Sequence, residues 1–288
     1  MNFFQKKNKK RWVISGHYGF LGSHFFQILR SLKEHIRVLD FDLRNYSNFK
    51  NILKSEDIVI HCVYTNDLSD QNIIDFNVIH ACRNSQCTLV TIGSDAAYDP
   101  KLLMHNEENY LVGETLDEWR ELGIQKRNLY NSLKQYSKED ELRTFHFVGT
   151  SFFGPGFKKN DNHLVHSLIQ NLYQNNFEIK DQNLYKSIIY VDDFVVNAIN
   201  LIKMKKKNDC YLYNIGTIHS QIRTLATEIC EQLGKNTEKL NFRNSEFKNS
   251  AVKYLNSDKA RKELANKYKH TRLSHAIHST LTYAEEIL

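Results

Sequence analysis

The stretch SGHYGFLGSH (residues 15–24) contains three of the 11 glycines of this 288-residue chain. It follows the apolar segment Trp12-Val13-Ile14, which predicts a short buried strand. From Gly22 to Lys33, apolar residues recur at helical spacing, which predicts a helix. The three glycines therefore lie in a predicted strand-to-helix turn.

Each glycine of this turn has a physical role. Gly16 permits a tight turn, Gly19 lets a phosphate approach the backbone, and Gly22 lets the helix pack close to the strand. The start of the helix offers free N–H groups and the positive end of its dipole to a pyrophosphate. The stretch therefore predicts a dinucleotide-binding turn.

A carboxylate ends the next predicted strand, His35–Asp40. Asp40 can accept hydrogen bonds from both hydroxyls of an adenosine ribose, and it would repel a 2′-phosphate. Asp42 and Arg44 follow, and Arg44 can pair with a 2′-phosphate if Asp40 points away. The sequence thus favours NAD(H) as the cofactor, with NADP(H) as the alternative.

The composition is that of an ordinary globular chain, with 41% hydrophobic residues, 25% charged residues and a formal net charge of +6. No apolar run approaches the roughly 20 residues that span a bilayer, and the basic N-terminus lacks the apolar segment of a secretory signal. The lysines are spread as on solvated helix faces. The five cysteines form no CxxC pair, and no histidines have HExxH spacing. We expect a cytoplasmic protein that binds no nucleic acid, no membrane and no metal.

Predicted strands and helices alternate along the first 155 residues. This rhythm predicts an α/β fold, a doubly wound parallel Rossmann sheet that binds ligands at the carboxyl ends of its strands. Beyond residue 155 the pattern is mixed, which predicts a smaller C-terminal substrate-binding lobe. We assign residues 1–155 and 181–216 to the dinucleotide-binding domain, and residues 156–180 and 217–288 to the lobe.

Two motifs carry candidate chemistry. Ser94 follows the predicted strand 88–93 and can hydrogen-bond a substrate oxygen. Tyr130 and Lys134 form a YxxxK pair on the predicted helix 125–142, where positions i and i+4 share one face. We expect Lys134, together with a nicotinamide ring in a partly desolvated cleft, to lower the pKa of Tyr130 from about 10 towards about 7, so that the phenol exchanges a proton during hydride transfer. A second YxxxK pair, at 46–50, is expected to lie on the surface.

Several stretches together resemble the extended short-chain dehydrogenase/reductases, the nucleotide-sugar epimerase/dehydratase family. SGHYGFLGS resembles the family's TGGAGFIGS, and DIVIH (57–61) resembles DVVIH. GSDAAY (93–98) resembles SSxxVYG, with the catalytic serine four residues before the tyrosine. FGPG (153–156), YVDD (190–193) and YNIG (213–216) resemble later motifs of the family.

The resemblance implies that Ser94, Tyr130 and Lys134 are catalytic, and that Lys134 also holds the nicotinamide ribose. Further cofactor-binding residues that it implies are Gly16, Gly19, Phe20, Leu21, Gly22, Asp40, Asp42 and Leu43. The implied substrate is a nucleoside-diphosphate sugar. By analogy with family members, we expect a homodimer.

The resemblance assigns substrate-binding roles to Asp95, Ser151, Lys186, Arg243 and Lys248. Ser151 stands where the family has an asparagine, and Lys186 stands where it has an arginine. A lysine keeps the charge but loses the bidentate recognition of a phosphate. The short segment from Asp40 to Asp57 implies that one strand and one helix of the family's sheet are trimmed or merged.

Three functions remain open from the sequence. Sugar dehydratases of the family carry a glutamate where this chain has Ala96, so dehydration is disfavoured. A 4-ketoreductase that uses exchangeable NAD(P)H fits the short chain and the reduced lobe, whereas Asp40 favours a 4-epimerase with tightly held NAD. The third function is that of a non-catalytic dinucleotide-binding sensor. We expect Asp192 and Asp193 to be structural, with Asp193 capping the helix that follows it.

Overall fold

The computed structural model describes residues 10–115, 119–243 and 254–288. The β-strands are β1 (Arg11–Ser15), β2 (His35–Leu39), β3 (Ile58–His61), β4 (Thr88–Ser94), β5 (Met104–His105), β6 (Thr144–Gly149), β7 (Phe152–Phe153), β8 (Glu178–Lys180), β9 (Tyr185–Tyr190), β10 (Cys210–Asn214), β11 (Thr217–Gln221), β12 (Asn241–Arg243) and β13 (Tyr254–Leu255). The α-helices are α1 (Phe20–Ser31), α2 (Leu68–Ser85), α3 (Arg120–Glu139), α4 (Leu164–Tyr173), α5 (Val191–Met204), α6 (Ile222–Gln232), α7 (Asp258–Leu264) and α8 (Leu273–Ile287).

The central sheet has six strands in the order β10-β6-β4-β3-β1-β2. Strand β1 pairs in parallel with both β2 and β3, and β3 pairs in parallel with β4. The chain therefore leaves β1 in one direction to form β2, and then crosses to the other side of β1 to form β3 and β4. This reversal creates a crevice at the carboxyl ends of β1 and β3, where open α/β sheets bind ligands. The predicted α/β class is confirmed.

Strand β2 is the edge of this sheet, because no further strand forms between residues 40 and 57. That segment contains only a 3₁₀ turn, Tyr46–Phe49, whose start is capped by the side chain of Asn45. The expectation that the sheet is trimmed at this point agrees with the six-stranded order. The second YxxxK pair begins in this 3₁₀ turn.

Two compact units divide the chain. The first comprises Met1–Gly93, described from Lys10 onward, together with Ile124–Phe147 and Met204–Leu212. The second comprises Ser94–Gly123, Val148–Lys203 and Tyr213–Leu288. The predicted division into residues 1–155 with 181–216, and 156–180 with 217–288, remains a prediction.

The first unit packs helices onto a core of buried strand residues. Val13 and Val59 are fully buried in a cluster that also takes in Val78 of α2 and Leu133 of α3. Helix α2 begins at a cap in which the Asp67 carboxylate accepts the N–H of Asp70. Gln86, the residue that follows its last turn, has a φ of 53° and turns the chain towards β4.

The second unit contains small sheets rather than an extension of the large one. A three-stranded sheet has the order β11-β9-β7, and two further pairs join β12 to β8 and β13 to β5. Asp193 is buried there, and its carboxylate accepts the N–H and the hydroxyl of Thr271. The prediction that Asp193 is structural agrees with this contact, although the carboxylate holds the segment before α8 rather than capping α5.

None of the helices in the described part of the chain combines the length and the apolar character that crossing a bilayer requires.

The start of β1 is clamped by a buried ion pair. The Asp57 carboxylate is fully buried and receives Arg11 Nε at 2.8 Å and Arg11 Nη2 at 2.5 Å. It also accepts the N–H of Lys54 at 2.8 Å, and Arg11 donates a further hydrogen bond to the carbonyl of Ile52. The pair therefore ties β1 to the loop that enters β3.

Asp57→Asn is expected to lower the free energy of unfolding by about 3–5 kcal/mol, because it leaves the Arg11 guanidinium without its buried counter-charge. Glu114→Gln is the matched control, since Glu114 pairs with Lys101 at 3.2 Å where both side chains are about 70% exposed. That control should change stability by less than about 1 kcal/mol. Urea unfolding of both variants measures the difference, and equal losses would contradict the prediction.

Candidate active site

The glycine turn folds as the sequence predicts, with the backbone packed closely on the end of β3. Gly16 has a φ of +74°, and its carbonyl accepts the N–H of Gly19 at 2.9 Å. A Cβ on Gly16 would lie 2.8–2.9 Å from the backbone of Cys62 and Val63. A Cβ on Gly22 would collide with the carbonyl oxygen of Gly16. Side chains are therefore excluded at both positions.

Helix α1 starts directly after this turn and presents an uncapped N-terminus. Gly19, which has no side chain to cap the helix, is the N-cap residue, and the first turn has no acidic residue. Phe20 and Leu21 are the first two residues of the helix. Their N–H groups and the helix dipole suit the phosphate groups of a dinucleotide, which is the role that the sequence assigned to this turn. We call the region bordered by this turn and by residues 62–64, which follow β3, the dinucleotide crevice.

The two candidate adenosine-binding carboxylates differ in their surroundings. Asp42 is bound by Arg44 at 2.9 Å, and Arg44 also binds Asp70 at 2.9 Å. These hydrogen bonds from Arg44 lower the pKa of Asp42. Asp40 is exposed directly after β2, and within the described residues its carboxylate has no hydrogen bond or ion pair. Asp40 is therefore available to a ribose, whereas Arg44 is already occupied by two carboxylates.

Leu43 contributes its backbone rather than its side chain to this region. Its side chain is buried in the core of the first unit, and its carbonyl accepts Asn77 Nδ2 at 2.9 Å. The same amide group donates to the carbonyl of Arg44 at 2.8 Å. Asn77 of α2 therefore holds the loop that follows Asp42 in place.

A chain of buried polar groups lies beneath the crevice. Ser15 Oγ is 2.7 Å from His61 Nδ1, and His61 Nε2 is 3.0 Å from the Asp75 carboxylate. Asp75 also accepts the side-chain amides of Gln71, at 2.7 Å, and of Gln125. Burial alone would raise the pKa of Asp75, but the hydrogen bond and charge of His61 outweigh it and lower the pKa. Asp75 is thus a charged group that joins β1, β3, α2 and α3.

Lys126, which the sequence analysis did not select, is buried at the crevice. It follows Gln125 in α3, only 8% of the residue is exposed, and its ammonium lies 5.9 Å from the ring centre of Tyr64. Burial lowers the pKa of Lys126, while the charge of Asp75 opposes that shift. The signal in the sequence was weak, because LGIQK (122–126) has the YxxxK spacing with leucine in place of tyrosine.

Tyr130 and Lys134 lie further along α3. The Tyr130 ring packs on the ring of His146 at 5.4 Å, and the Lys134 ammonium lies 5.8 Å from the centre of the Tyr130 ring. Burial, followed by the charges of Cys210 and Asp209, raises the pKa of Tyr130. The chain's own groups therefore do not produce the expected lowering, because desolvation disfavours the phenolate, and a lowering by a bound nicotinamide stays a prediction.

Ser94 and Asp95 belong to the second unit, whereas Tyr130 and Lys134 belong to the first, and their predicted convergence remains a prediction. Ser94 Oγ accepts the N–H of Ala96 at 3.2 Å, so its hydroxyl proton can point to a ligand. The Asp95 carboxylate accepts the hydroxyl of Thr150 at 2.6 Å. This bond orients Asp95 at the start of a 3₁₀ turn, Asp95–Ala97.

The remaining candidate substrate-binding residues occupy separate places in the second unit. Ser151 has a φ of +32°, and its carbonyl accepts the N–H of Ile189 at 3.2 Å. Lys186 lies exposed on β9, and Arg243 ends β12, where its guanidinium pairs with Glu178 at 3.7 Å. Lys248 lies outside the described residues. The strained backbone at Ser151 is the feature most typical of a functional position.

One cluster in the described residues has the side chains of a metal site, namely Asp161, His163 and His166. His166 is fully buried, and its Nε2 atom accepts the N–H of Gly154 at 3.2 Å. The proton of a neutral His166 ring must therefore sit on Nδ1, which faces Asp161 Oδ2 at 3.4 Å. Asp161 accepts hydrogen bonds from the N–H and the ring of His163, and these bonds with the nearby His166 ring overcome the burial of Asp161 and lower its pKa.

Comparison with known proteins points to one family. The family described as the NAD dependent epimerase/dehydratase family has a model that matches residues 12–216. No curated protein matches the chain.

Solved structures share the fold over nearly the whole chain. A GDP-L-fucose synthetase from Naegleria fowleri bound to NADP is 17% identical with a TM-score of 0.81, covering 96% of this chain and 94% of that chain. A UDP-glucose 4-epimerase from Thermus thermophilus in complex with NAD is 14% identical with a TM-score of 0.74, covering 96% and 100%. A GDP-mannoheptose C4 reductase from Campylobacter jejuni with NADP bound is 18% identical with a TM-score of 0.77, covering 96% and 98%. The TM-scores show that these proteins share the fold of this chain, although their sequences are only 14–18% identical to it.

His146 makes the stability of the first unit sensitive to acid. Burial, with a smaller contribution from the charge of Lys126, lowers the pKa of His146 to about 3, and Nδ1 lies 2.7 Å from Thr91 Oγ1. The unfolded chain takes up a proton at His146 below about pH 6.5, whereas the folded chain does not. Acidification from about pH 7 to about pH 5 is therefore expected to remove about 2 kcal/mol through this residue. Urea unfolding of the wild type and His146→Gln measures it, and parallel pH dependences would contradict it.

Proposed function

Because the chain belongs to the NAD dependent epimerase/dehydratase family, we propose that it is an NAD-dependent oxidoreductase acting on a nucleoside-diphosphate hexose. The family comprises enzymes, and the resemblance inferred from the sequence motifs is confirmed by the match over residues 12–216. The related structures include sugar-nucleotide reductases and 4-epimerases, which supports a nucleotide sugar as the substrate class.

The observation that carries the proposal is the dinucleotide crevice of the first unit. Gly16 and Gly22 exclude side chains where a pyrophosphate would meet the uncapped start of α1. Asp40 lies at the end of β2 with a carboxylate that no described residue engages. A dinucleotide with a free ribose 2′-hydroxyl matches both features. NAD(H) is therefore the proposed cofactor, and NADP(H) is the alternative.

The reaction that we propose is hydride transfer at C4 of the sugar. In the reducing direction, C4 of the nicotinamide in NADH gives a hydride to the carbonyl carbon of a 4-keto-6-deoxy sugar. The carbonyl oxygen takes up a proton, which leaves an alcohol and NAD⁺. Ala96 stands where a dehydratase would carry its glutamate, and this supports a reductase over a dehydratase.

A 4-epimerase with tightly held NAD is the second candidate. Asp40 supports it, because a carboxylate that selects NAD suits a cofactor retained through both half-reactions. A non-catalytic dinucleotide-binding sensor is the third candidate, and it is supported by the packing of Tyr130 on His146 instead of an open phenol. The predicted homodimer remains a prediction.

Incubation with NADH and CDP-, GDP-, dTDP- and UDP-linked 4-keto-6-deoxyhexoses tests the proposal. We expect loss of NADH absorbance with at least one sugar nucleotide and formation of the corresponding 4-hydroxy sugar. Purified protein that retains NAD and interconverts 4-epimers without added cofactor would instead be an epimerase. Tight NADH binding with neither reaction would overturn the enzymatic proposal.

Asp40→Ser is expected to weaken NADH binding about tenfold and to raise the preference for NADPH, because it removes the charged acceptor and the repulsion of a 2′-phosphate. Asp42→Asn is the matched control two residues away. Its carboxylate is held by Arg44, so NADH affinity should change less than about threefold. Isothermal titration with both cofactors measures the affinities. A larger effect on NADH binding from Asp42→Asn would contradict the assignment to Asp40.

A further inference from the structure

The dinucleotide crevice contains a buried cation on the helix that carries the predicted catalytic tyrosine. The ammonium of Lys126 lies under the ring of Tyr64, which is 54% exposed and follows β3. The backbone of Cys62 and Val63, in the same segment, is the surface on which Gly16 packs. Lys126 and the glycine turn therefore both pack on residues 62–64, entirely within the first unit.

Lys134 does not share this position. It is eight residues further along α3, a distance of about 12 Å along the helix axis. Its side chain is exposed, and the contact found for it is with the Tyr130 ring. Four residues before Lys126 stands Leu122, at the position where a YxxxK pair would carry its tyrosine.

We propose that Lys126 is the general acid of the hydride-transfer reaction, and that the phenol of Tyr130 takes no part in it. This inference rests on the proposed function and names a catalytic residue for it. Lys126 lies at the crevice in which the cofactor would sit, whereas Tyr130 is packed on His146 of β6. Lys126 alone then has the proton-transfer role that the sequence motif assigned to Tyr130 together with Lys134.

The energetics of the two side chains support this assignment. Burying an ammonium is costly unless its charge is compensated, and Asp75 is the charged group that favours the charge of Lys126. Burial still lowers the pKa of Lys126, whereas it raises the pKa of Tyr130. A general acid is most effective when its pKa lies near the working pH. The two shifts therefore make Lys126 a better acid and Tyr130 a worse one.

The step balances with groups that the proposal already contains. The hydride of NADH forms a C–H bond at the carbonyl carbon, and the π electrons of the C=O bond move to the oxygen. An N–H bond of the Lys126 ammonium breaks, and its proton forms the new hydroxyl. The products are the alcohol, NAD⁺ and a neutral Lys126 amine, which takes a proton from water before the next turnover.

The groups that face Lys126 allow its own titration to be measured separately from theirs. Tyr64 and Cys62 face it from the end of β3, Asp75 faces it from α2 with His61 behind, and His146 faces it from β6. Burial raises the pKa of Cys62 to about 12 and lowers that of His146 to about 3. The pKa of Asp75 is lowered by His61 against the effect of burial. Tyr64 is the remaining phenol, and if Lys126 is the titrating group, Tyr64→Phe keeps the pH dependence of NADH binding.

The test measures both cofactor binding and turnover. We expect the affinity for NADH to fall as the pH rises from about 7 to about 10, because deprotonation removes a cation from the crevice. Lys126→Met should abolish this dependence and lower kcat at least about 100-fold. Tyr130→Phe and the exposed-lysine control Lys134→Met should keep the pH dependence, with kcat within about threefold of wild type.

If Tyr130 is the general acid instead, the effects of Tyr130→Phe and Lys126→Met on kcat are reversed, so the measurements distinguish the two assignments. A Tyr130→Phe variant that loses about 100-fold in kcat while Lys126→Met keeps its rate would overturn the proposal. If Lys126→Met does not fold, Lys126→Arg keeps the charge but gives up no proton near neutral pH, and it should bind NADH without turnover. Normal turnover by Lys126→Arg would also overturn the proposal. If the wild type reduces no sugar nucleotide, the proposed function fails. Independently of that result, an unchanged pH dependence of NADH binding in Lys126→Met would overturn the placement of Lys126 at the crevice.

Discussion

The crevice depends on one backbone packed directly on another. The Gly16 turn leaves no room for a Cβ against Cys62 and Val63, and Gly22 leaves none against Gly16. Because these contacts are made by main-chain atoms, they cannot be relieved by a side chain moving aside. They fix the direction in which α1 leaves the turn, and hence the position of its uncapped N-terminus.

Asp75 fixes the elements beneath the crevice in a similar way. Its carboxylate is held by His61 of β3, by Gln71 of its own helix and by Gln125 of α3, and His61 is bound in turn to Ser15 at the end of β1. A buried carboxylate with this many donors is costly to displace. The network therefore sets the position of α3 along the sheet, and with it which lysine of α3 reaches the crevice.

The fold was largely predictable, and the candidate site was predictable only in part. The glycine spacing and the apolar strands at 12–14 and 58–60 were sufficient for the parallel sheet, since both are local patterns. The motif YxxxK was not sufficient for the site. Any two residues four apart in a helix share a face, so the motif cannot say how far along α3 the crevice lies. Tyr130 matches the pattern but packs on His146, whereas Lys126 lacks the tyrosine but lies beside Tyr64.

The sequence by itself determined the class of fold, the turn that would hold a dinucleotide and the acidic residue after β2. Each of these follows from residue type and spacing over a few dozen positions. Only the tertiary structure decided that Asp40 is available while Arg44 is occupied, that burial raises the pKa of Tyr130, and that Lys126 lies in the crevice. The physical reason is that pairing, desolvation and depth along a helix depend on residues distant in sequence, such as Asp70, Asp75 and His146.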